Sequence, residues 1–248
     1  MRTHTYFISD VHLGAPSVRE SQERERTLVS FLKHIEKDCK QLFIVGDLFD
    51  YWFEYKHVVP RGHTRVLGQL ALMVDAGLQL DIFAGNHDLW TAGMTDYDPL
   101  KKFAEDRSIL YHAHELNIRL WVNDIAYHIS VRHKRRGNSQ IDPTRVIKKM
   151  WEDGEADFDI GVVGHHHVPV IAPFTKHGVE RWAIRPGAYK IVDTFGEMCG
   201  FPRERPTCPV AILSPHSREI QVFSDLRHGI RTLRALNGED ENDEDLGF

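Results

Sequence analysis

Five short blocks in this 248-residue chain carry side chains that bind metal ions, and each follows an apolar run. They are Asp10-Val11-His12, Gly46-Asp47-Leu48-Phe49-Asp50, Gly85-Asn86-His87-Asp88, a histidine near position 133, and Gly164-His165-His166-His167. Together they supply carboxylates, imidazoles and one amide, with no cysteine among them. Oxygen and nitrogen donors of this kind suit two divalent ions of intermediate hardness rather than a thiolate zinc site.

Each block has its own chemical reading. Asp10 and His12 are two residues apart just past a strand, and in an extended segment both side chains would point the same way and reach one ion. Asp47 follows Gly46, which permits a tight turn. Its two carboxylate oxygens could bridge two ions, although an aspartate here could equally cap a helix. Asn86 offers a carbonyl oxygen to a hard cation. In a tight turn its neighbour His87 cannot face the same ion, which leaves it for acid catalysis, with Asp88 placed to orient the imidazole and raise its pKa. His165 and His167 flank His166, which would point the other way. Asp-x-His alone is a weak signal, but blocks in this order at the ends of separate apolar strands are specific.

The elements that must position these blocks are legible in the hydrophobic pattern. Strands are expected at Thr5–Ser9, Leu42–Val45 and Leu80–Ala84. Helices are expected at Ser21–Lys37, where Leu28, Phe31, Leu32 and Ile35 share a face, and at Thr64–Asp75, with Leu67, Leu70, Ala71 and Val74 inward and Gly77 as a C-cap. Such crossovers imply parallel strands with right-handed connections and a site at the strands' carboxyl ends. The second half reads as a hairpin (Asn117–Val122 and Ile125–Val131 across Asn123-Asp124) and a short helix at Pro143–Trp151. Strands follow at Ile160–Val163, Glu180–Ile184, Val210–Leu213 and Ile220–Phe223.

Composition narrows the class. Hydrophobic residues make up 42% and charged residues 27%, an ordinary globular balance for one domain over 1–236. Cys39, Cys199 and Cys208 have no paired spacing, so a reducing compartment fits better than a disulfide framework. No secretory h-region and no apolar run near the roughly 20 residues of a membrane span is visible, so a soluble, cytoplasmic protein is expected. Segment 237–248 holds six acids, and without them the net charge moves from −5 to +1. It reads as a disordered tail on a nearly neutral body. That neutrality disfavours a nucleic-acid partner, for which a long basic track is expected.

The order and spacing of the five blocks resemble the calcineurin-like metallophosphoesterases. The resemblance implies an α/β fold, a four-layer α-β-β-α sandwich of two mixed sheets flanked by helices. It also implies one further histidine ligand between the Asn-His and Gly-His-x-His blocks. His112, His114, His128 and His133 are candidates. His133 continues the face of Ile129 and Val131 to the strand end, whereas His128 lies on the opposite face, so His133 is preferred. One ion would then take Asp10, His12, Asp47 and His167. The other would take Asp47, Asn86, His133 and His165, about 3.5–4 Å away. Manganese is the expected metal, and iron, zinc and magnesium share these donors. A bridging water would attack phosphorus while His87 protonates the leaving oxygen.

Around these blocks, Arg132, Lys134, Arg135 and Arg136 flank His133 and suit an anionic substrate, or form a solvated basic loop. Arg185 could reach the same cleft. Tyr51, Trp52, Phe53, Tyr55 and Trp90 lie close to two ligand loops and would form a pocket or simply pack beneath them. Residues 6–90, with YFISDVHLGAP, VGDLFDYWFEYKHVVPRG and FAGNHDLW, resemble the UDP-2,3-diacylglucosamine diphosphatases more closely. That likeness implies a nucleotide-linked pyrophosphate as substrate. The rest departs from it: those enzymes usually carry His-Gly-Asp at the fifth ligand, where this chain reads Arg132-His133-Lys134-Arg135-Arg136-Gly137-Asn138-Ser139, and a helical cap where only 31 residues separate His133 from His165. A nuclease-type phosphodiesterase and a non-catalytic scaffold of the same fold are the rival readings. The scaffold predicts missing ligands, and every block is present.

Overall fold

A computed structural model of the chain describes residues 4–52, 62–88, 99–137, 139, 141–154, 156–188, 209–236 and 238. The first half alternates strands and helices as their periodicity requires. Strand β1 is His4–Ile8, helix α1 Val18–Ile35, β2 Cys39–Val45, α2 Thr64–Asp75 and β3 Gln79–Phe83, followed by α3 at Pro99–Glu105 and β4 at Leu110–His112. The four strands form one wholly parallel sheet in the order β1-β2-β3-β4.

Local chemistry sets the helix boundaries. Helix α1 starts at Val18, ahead of the expected Ser21, because Ser17 accepts from the Glu20 N–H while its hydroxyl meets the Glu20 carboxylate, a reciprocal cap. Helix α2 follows His63 in a left-handed conformation with no side-chain cap of its own. The Glu25 carboxylate, reaching over from α1, accepts from the Arg65 and Val66 N–H groups instead. The buried face of α2 is Val66, Gln69, Leu70 and Met73, turned from the expected face, so that Leu67 and Val74 only flank the core.

The second half builds a mixed sheet of order β5-β6-β7-β9-β8. Its strands are β5 Glu115–Val122, β6 Ile125–Arg132, β7 Ile160–Val163, β8 Val170–Lys176 and β9 Val179–Arg185, with α4 at Arg145–Glu152 between β6 and β7. The β5-β6 hairpin turns on Asn123, at φ 51°. Strand β8 carries Pro173 and lies at the sheet edge, where a missing N–H donor is tolerated. A two-stranded ribbon, β10 Val210–Leu213 and β11 Ile220–Phe223, and α5 at Leu226–Leu236 complete the described elements.

Three apolar clusters separate four layers. Helices α1 and α2 cover one face of the parallel sheet through Leu28, Leu32, Val66 and Leu70 against Leu42, Ile44 and Ile82. Phe43, Val45 and Phe83 of that sheet meet Ile129, Val131, Val162 and Ile184 of the mixed sheet. Helix α4 closes the far side with Val146, Ile147 and Met150 on Val163 and Ala183. The α-β-β-α expectation holds, with one sheet parallel and the other mixed. No helix among the described residues is long and apolar enough to cross a membrane.

Candidate metal centre

The blocks meet where the carboxyl ends of β1, β2 and β3 face those of β6 and β7. Backbone bonds lace the first two loops together: Asp10 N–H to the Gly46 carbonyl (3.2 Å), His12 N–H to that of Asp47 (3.0 Å) and Asp50 N–H to that of Leu13 (2.9 Å). Asp10, His12 and His167 bring donor atoms within 4.8 Å of one another, and so do Asp47, His133 and His165. A third group of this kind, His12, Asp47 and His87, joins them.

The floor is buried and the rim open. Asp10, His12, Asp47 and His133 are buried, whereas His87, His165 and His167 are half-buried and Asn86 is exposed. His12 Nε2 lies 3.0 Å from His167 Nε2 and 3.8 Å from Asp47 Oδ2. On the other side His133 Nε2 lies 3.2 Å from that same Asp47 oxygen and 3.1 Å from Asn86 Oδ1. Asp47 Oδ2 thus faces both groups. It and His165 Nδ1 are buried atoms with no hydrogen-bond partner among the described residues.

The backbone is held in rare conformations here. Asp10 (φ 53°), His12 (50°), Asp47 (52°), His165 (71°) and His167 (57°) are all left-handed. Each such residue costs on the order of 1–3 kcal/mol and persists only where surrounding structure enforces it. The Asp10–His12 segment is therefore not extended, contrary to expectation. The two side chains converge because two left-handed residues flank the buried Val11.

Charges in the floor perturb one another. Burial works against a carboxylate at Asp47, yet the His133 imidazole, 3.2 Å from its Oδ2, wins and holds the carboxyl at about 2. Burial opposes the His133 cation too, and Asp47 overcomes it, raising that imidazole to about 9. His165 is pushed down to about 4, first by burial and then by the neighbouring charges of His133 and Lys134.

Several expected roles change. Asp88 does not turn toward His87. Its buried carboxylate accepts from the N–H groups of Asp47 (2.8 Å), Gly85 (3.1 Å) and Phe49 (3.2 Å), clamping two loops together. Burial, then the nearby Asp47 charge, push its carboxyl up to about 7. His87 Nδ1 instead meets Asp50, 3.2 Å from the carbonyl and 3.4 Å from the carboxylate, and Asp50 Oδ1 is also 3.1 Å from His12 Nδ1. The reading from sequence quoted Asp50 within its block but gave it no task. Its signal was a second acid in a five-residue stretch that already held a ligand.

The basic cluster divides. Arg132 pairs with Glu115, and Arg135 with Asp153 at 2.8 Å, so both guanidinia expected to meet an anion already face a carboxylate. Lys134 and Arg136 are exposed. Arg185 is buried at the end of β9, donates to the Pro143 carbonyl at 3.0 Å and feels the charge of Asp10. Burial lowers its guanidinium to about 10. His128, on the β6 face away from the site, has its N–H bonded to Asp159. His112 pairs with Asp81 at 2.9 Å. Trp52 packs on Phe49, beneath the loop. Trp90, Phe53, Tyr55 and the acidic segment beyond Gly238 lie outside the described residues.

A family model described as calcineurin-like phosphoesterase matches residues 3–196. UDP-2,3-diacylglucosamine hydrolase of Porphyromonas gingivalis is 41% identical over 120 residues, which are 48% of this chain and 43% of that protein. The matched stretch thus spans less than half of that relative. The protein of the same name from Aeromonas hydrophila is 26% identical over 212 residues, 70% of this chain and 86% of its own. Among solved structures, wild-type Vps29 from Entamoeba histolytica complexed with zinc aligns with a TM-score of 0.47 at 12% identity, over 89% of this chain and 97% of that one.

Proposed function

The chain belongs to the calcineurin-like phosphoesterase family, and from that premise we propose that it hydrolyses a pyrophosphate or phosphodiester bond using two divalent ions held by the strand-end cluster. That it is a metal-dependent phosphoesterase follows from the family and its hydrolase relatives. The observation that carries the two-ion reading is Asp47 Oδ2, a buried carboxylate oxygen without a hydrogen-bond partner among the described residues, facing His12 on one side and His133 on the other.

The donors fit such ions. Asp10, His12, Asp47 and His167 would hold one, and Asp47, Asn86, His133 and His165 the other. Carboxylate, amide and imidazole suit manganese, and also iron, zinc or magnesium. Ions bound there would neutralise charge on phosphoryl oxygens and lower the pKa of a water. The chain supplies the rest. The Asp50 carbonyl accepts from His87 Nδ1–H, which fixes the tautomer and leaves Nε2 to pass a proton to the leaving oxygen. Asp50 Oδ1 steadies His12 from behind in the same way. The buried floor strengthens every one of these electrostatic contacts.

A nucleotide-linked pyrophosphate is the substrate class supported by the named relatives. Among the described residues between His133 and His165, α4 and β7 both serve the core, which leaves little chain for an acyl-chain cap there. The deciding experiment is hydrolysis of UDP-2,3-diacylglucosamine by manganese-loaded protein in detergent, with a chromogenic phosphodiester in parallel. Cleavage of both, abolished by Asp47→Ala, is the expected result. Turnover of the chromogenic ester alone would remove the lipid nucleotide as substrate, and turnover of neither would sink the hydrolase reading.

A further inference from the structure

Ser9 stands between β1 and Asp10, and both residues are fully buried. Its hydroxyl lies 2.5 Å from Asp10 Oδ2 and 2.8 Å from the Val45 carbonyl. A single proton faces two acceptors. The carbonyl already has a donor, since His133 Nδ1 lies 2.8 Å from it and a carbonyl only accepts. The bond to the carboxylate is charge-assisted and the stronger of the two. The two Asp10 oxygens would otherwise be equivalent. The His165 N–H straddles them, 3.0 Å from Oδ2 and 3.1 Å from Oδ1, and so holds the group without choosing between them. Ser9 makes the choice. It claims Oδ2, and Oδ1 is left 3.3 Å from His167 Nε2 and 4.0 Å from His12 Nε2. Packing keeps the hydroxyl in place: a Cβ on Gly164 would lie 2.4 Å from Ser9 Oγ and 3.0 Å from Asp10 Oδ2. Asp47 follows the same scheme with backbone alone, the His87 N–H claiming Oδ1 at 2.8 Å and leaving Oδ2 to the cluster.

We propose that Ser9 is a positioning residue of the metal centre, whose hydroxyl locks one oxygen of Asp10 so that the other alone is presented on the His12–His167 side. This rests on the two-ion reading above. A carboxylate held only by the straddling N–H can rock between its two oxygens, and an incoming ion must then fix it. With the hydroxyl in place that ordering is done in advance. The effect is confined to one side. Among the described residues, the Ser9 side chain meets the other half of the centre only at the Val45 carbonyl, and that carbonyl keeps its His133 bond when the hydroxyl is removed.

The test is a calorimetric titration of the metal-free full chain with manganese. Wild type is expected to take up two ions. Ser9→Ala should weaken one of them by about 10–100-fold, the cost of losing a group that orients a ligand, and the other far less. Ser9→Thr, which keeps the hydroxyl, should recover most of the loss. Asn86→Ala weakens the other ion, so in the double variant each ion should show its own loss. A serine with a merely structural role would lower the melting temperature of the chelated protein and weaken both ions alike. Equal weakening of both ions, no weakening of either, or a loss that falls on the same ion as that of Asn86→Ala would overturn the proposal. A wild type that takes up a single ion would sink the two-ion reading, and Ser9 is then judged by whether that ion weakens in Ser9→Ala and returns in Ser9→Thr. No uptake at all sinks both.

Discussion

His87 stands ring to edge against His12, with centroids 4.6 Å apart, yet its Nδ1 faces Asp50 rather than the cluster's other carboxylates. On the proposed reading it passes a proton and holds no ion, although its donor atom also lies within 4.8 Å of those of His12 and Asp47. His87→Ala should lower kcat by about 10²–10⁴, while the manganese content of the purified protein stays near wild type. Loss of bound metal would show instead that the imidazole is a ligand. Asp50→Asn keeps the backbone acceptor and removes the carboxylate, so a smaller fall in kcat is expected, with a shifted acidic limb of the pH–rate profile. An unchanged profile would remove Asp50 from the proton path. The candidate donors were readable because each closes an apolar run. The Asp50–His87 pair was not, because the partners are 37 residues apart. Asp88 misled for the opposite reason: adjacency in the chain to His87 suggested contact, while three N–H groups of two loops claimed its carboxylate.

At the level of elements, strand ends deliver the donors, and glycines let the loops interlock. A Cβ on Gly85 would lie 2.0 Å from Asp47 Oδ1 and 2.2 Å from Asp47 N, and one on Gly46, at φ 79°, would lie 2.2 Å from His133 Nδ1. Neither neighbour is the free end of a flexible chain. Gly85→Ala must therefore displace Asp47, and is expected to weaken manganese binding at least 10-fold and to lower the melting temperature. Gly68, in α2, has nothing within 4 Å of its would-be Cβ. Gly68→Ala should leave metal binding alone and add about 0.5–1 kcal/mol of stability through helix propensity. Similar metal affinities for the two variants would show that the close approach at Gly85 is not what holds Asp47. Sequence periodicity located β1, β2, β3, β7 and both long helices to within a few residues, since these bury continuous apolar faces. It passed over β8, whose Pro173 argues against a strand until its place at the sheet edge is known, and over three-residue β4. The left-handed ligand residues were also hidden, because Asp and His at those angles are imposed by packing and not by their own preference.

For the whole molecule, the centre is where the two sheets, which share one apolar core, are tied at one end. The parallel sheet supplies Asp10, His12, Asp47 and Asn86, and the mixed sheet supplies His133, His165 and His167. Ions shared across that seam would bind the folded chain and not the unfolded one, and so would stabilise it by mass action. At a manganese concentration 100 times the dissociation constant the gain is about 2.7 kcal/mol, which for a chain of this size corresponds to a rise of roughly 5–10 °C in Tm. Chelation should reverse the shift. Asp47→Ala removes the carboxylate oxygen that faces both His12 and His133, so it should abolish most of the metal-induced rise. Loss of Asn86, a neutral donor on the exposed side, should reduce it only in part. Differential scanning calorimetry of the full chain, with and without chelator, reads all four cases. A melting temperature indifferent to manganese would mean that the cluster holds no ion tightly, and that the buried Asp47 oxygen and the five left-handed residues answer to some other constraint. A rise that survives Asp47→Ala would mean that the two halves bind metal independently, and that the carboxylate facing both does not bridge them.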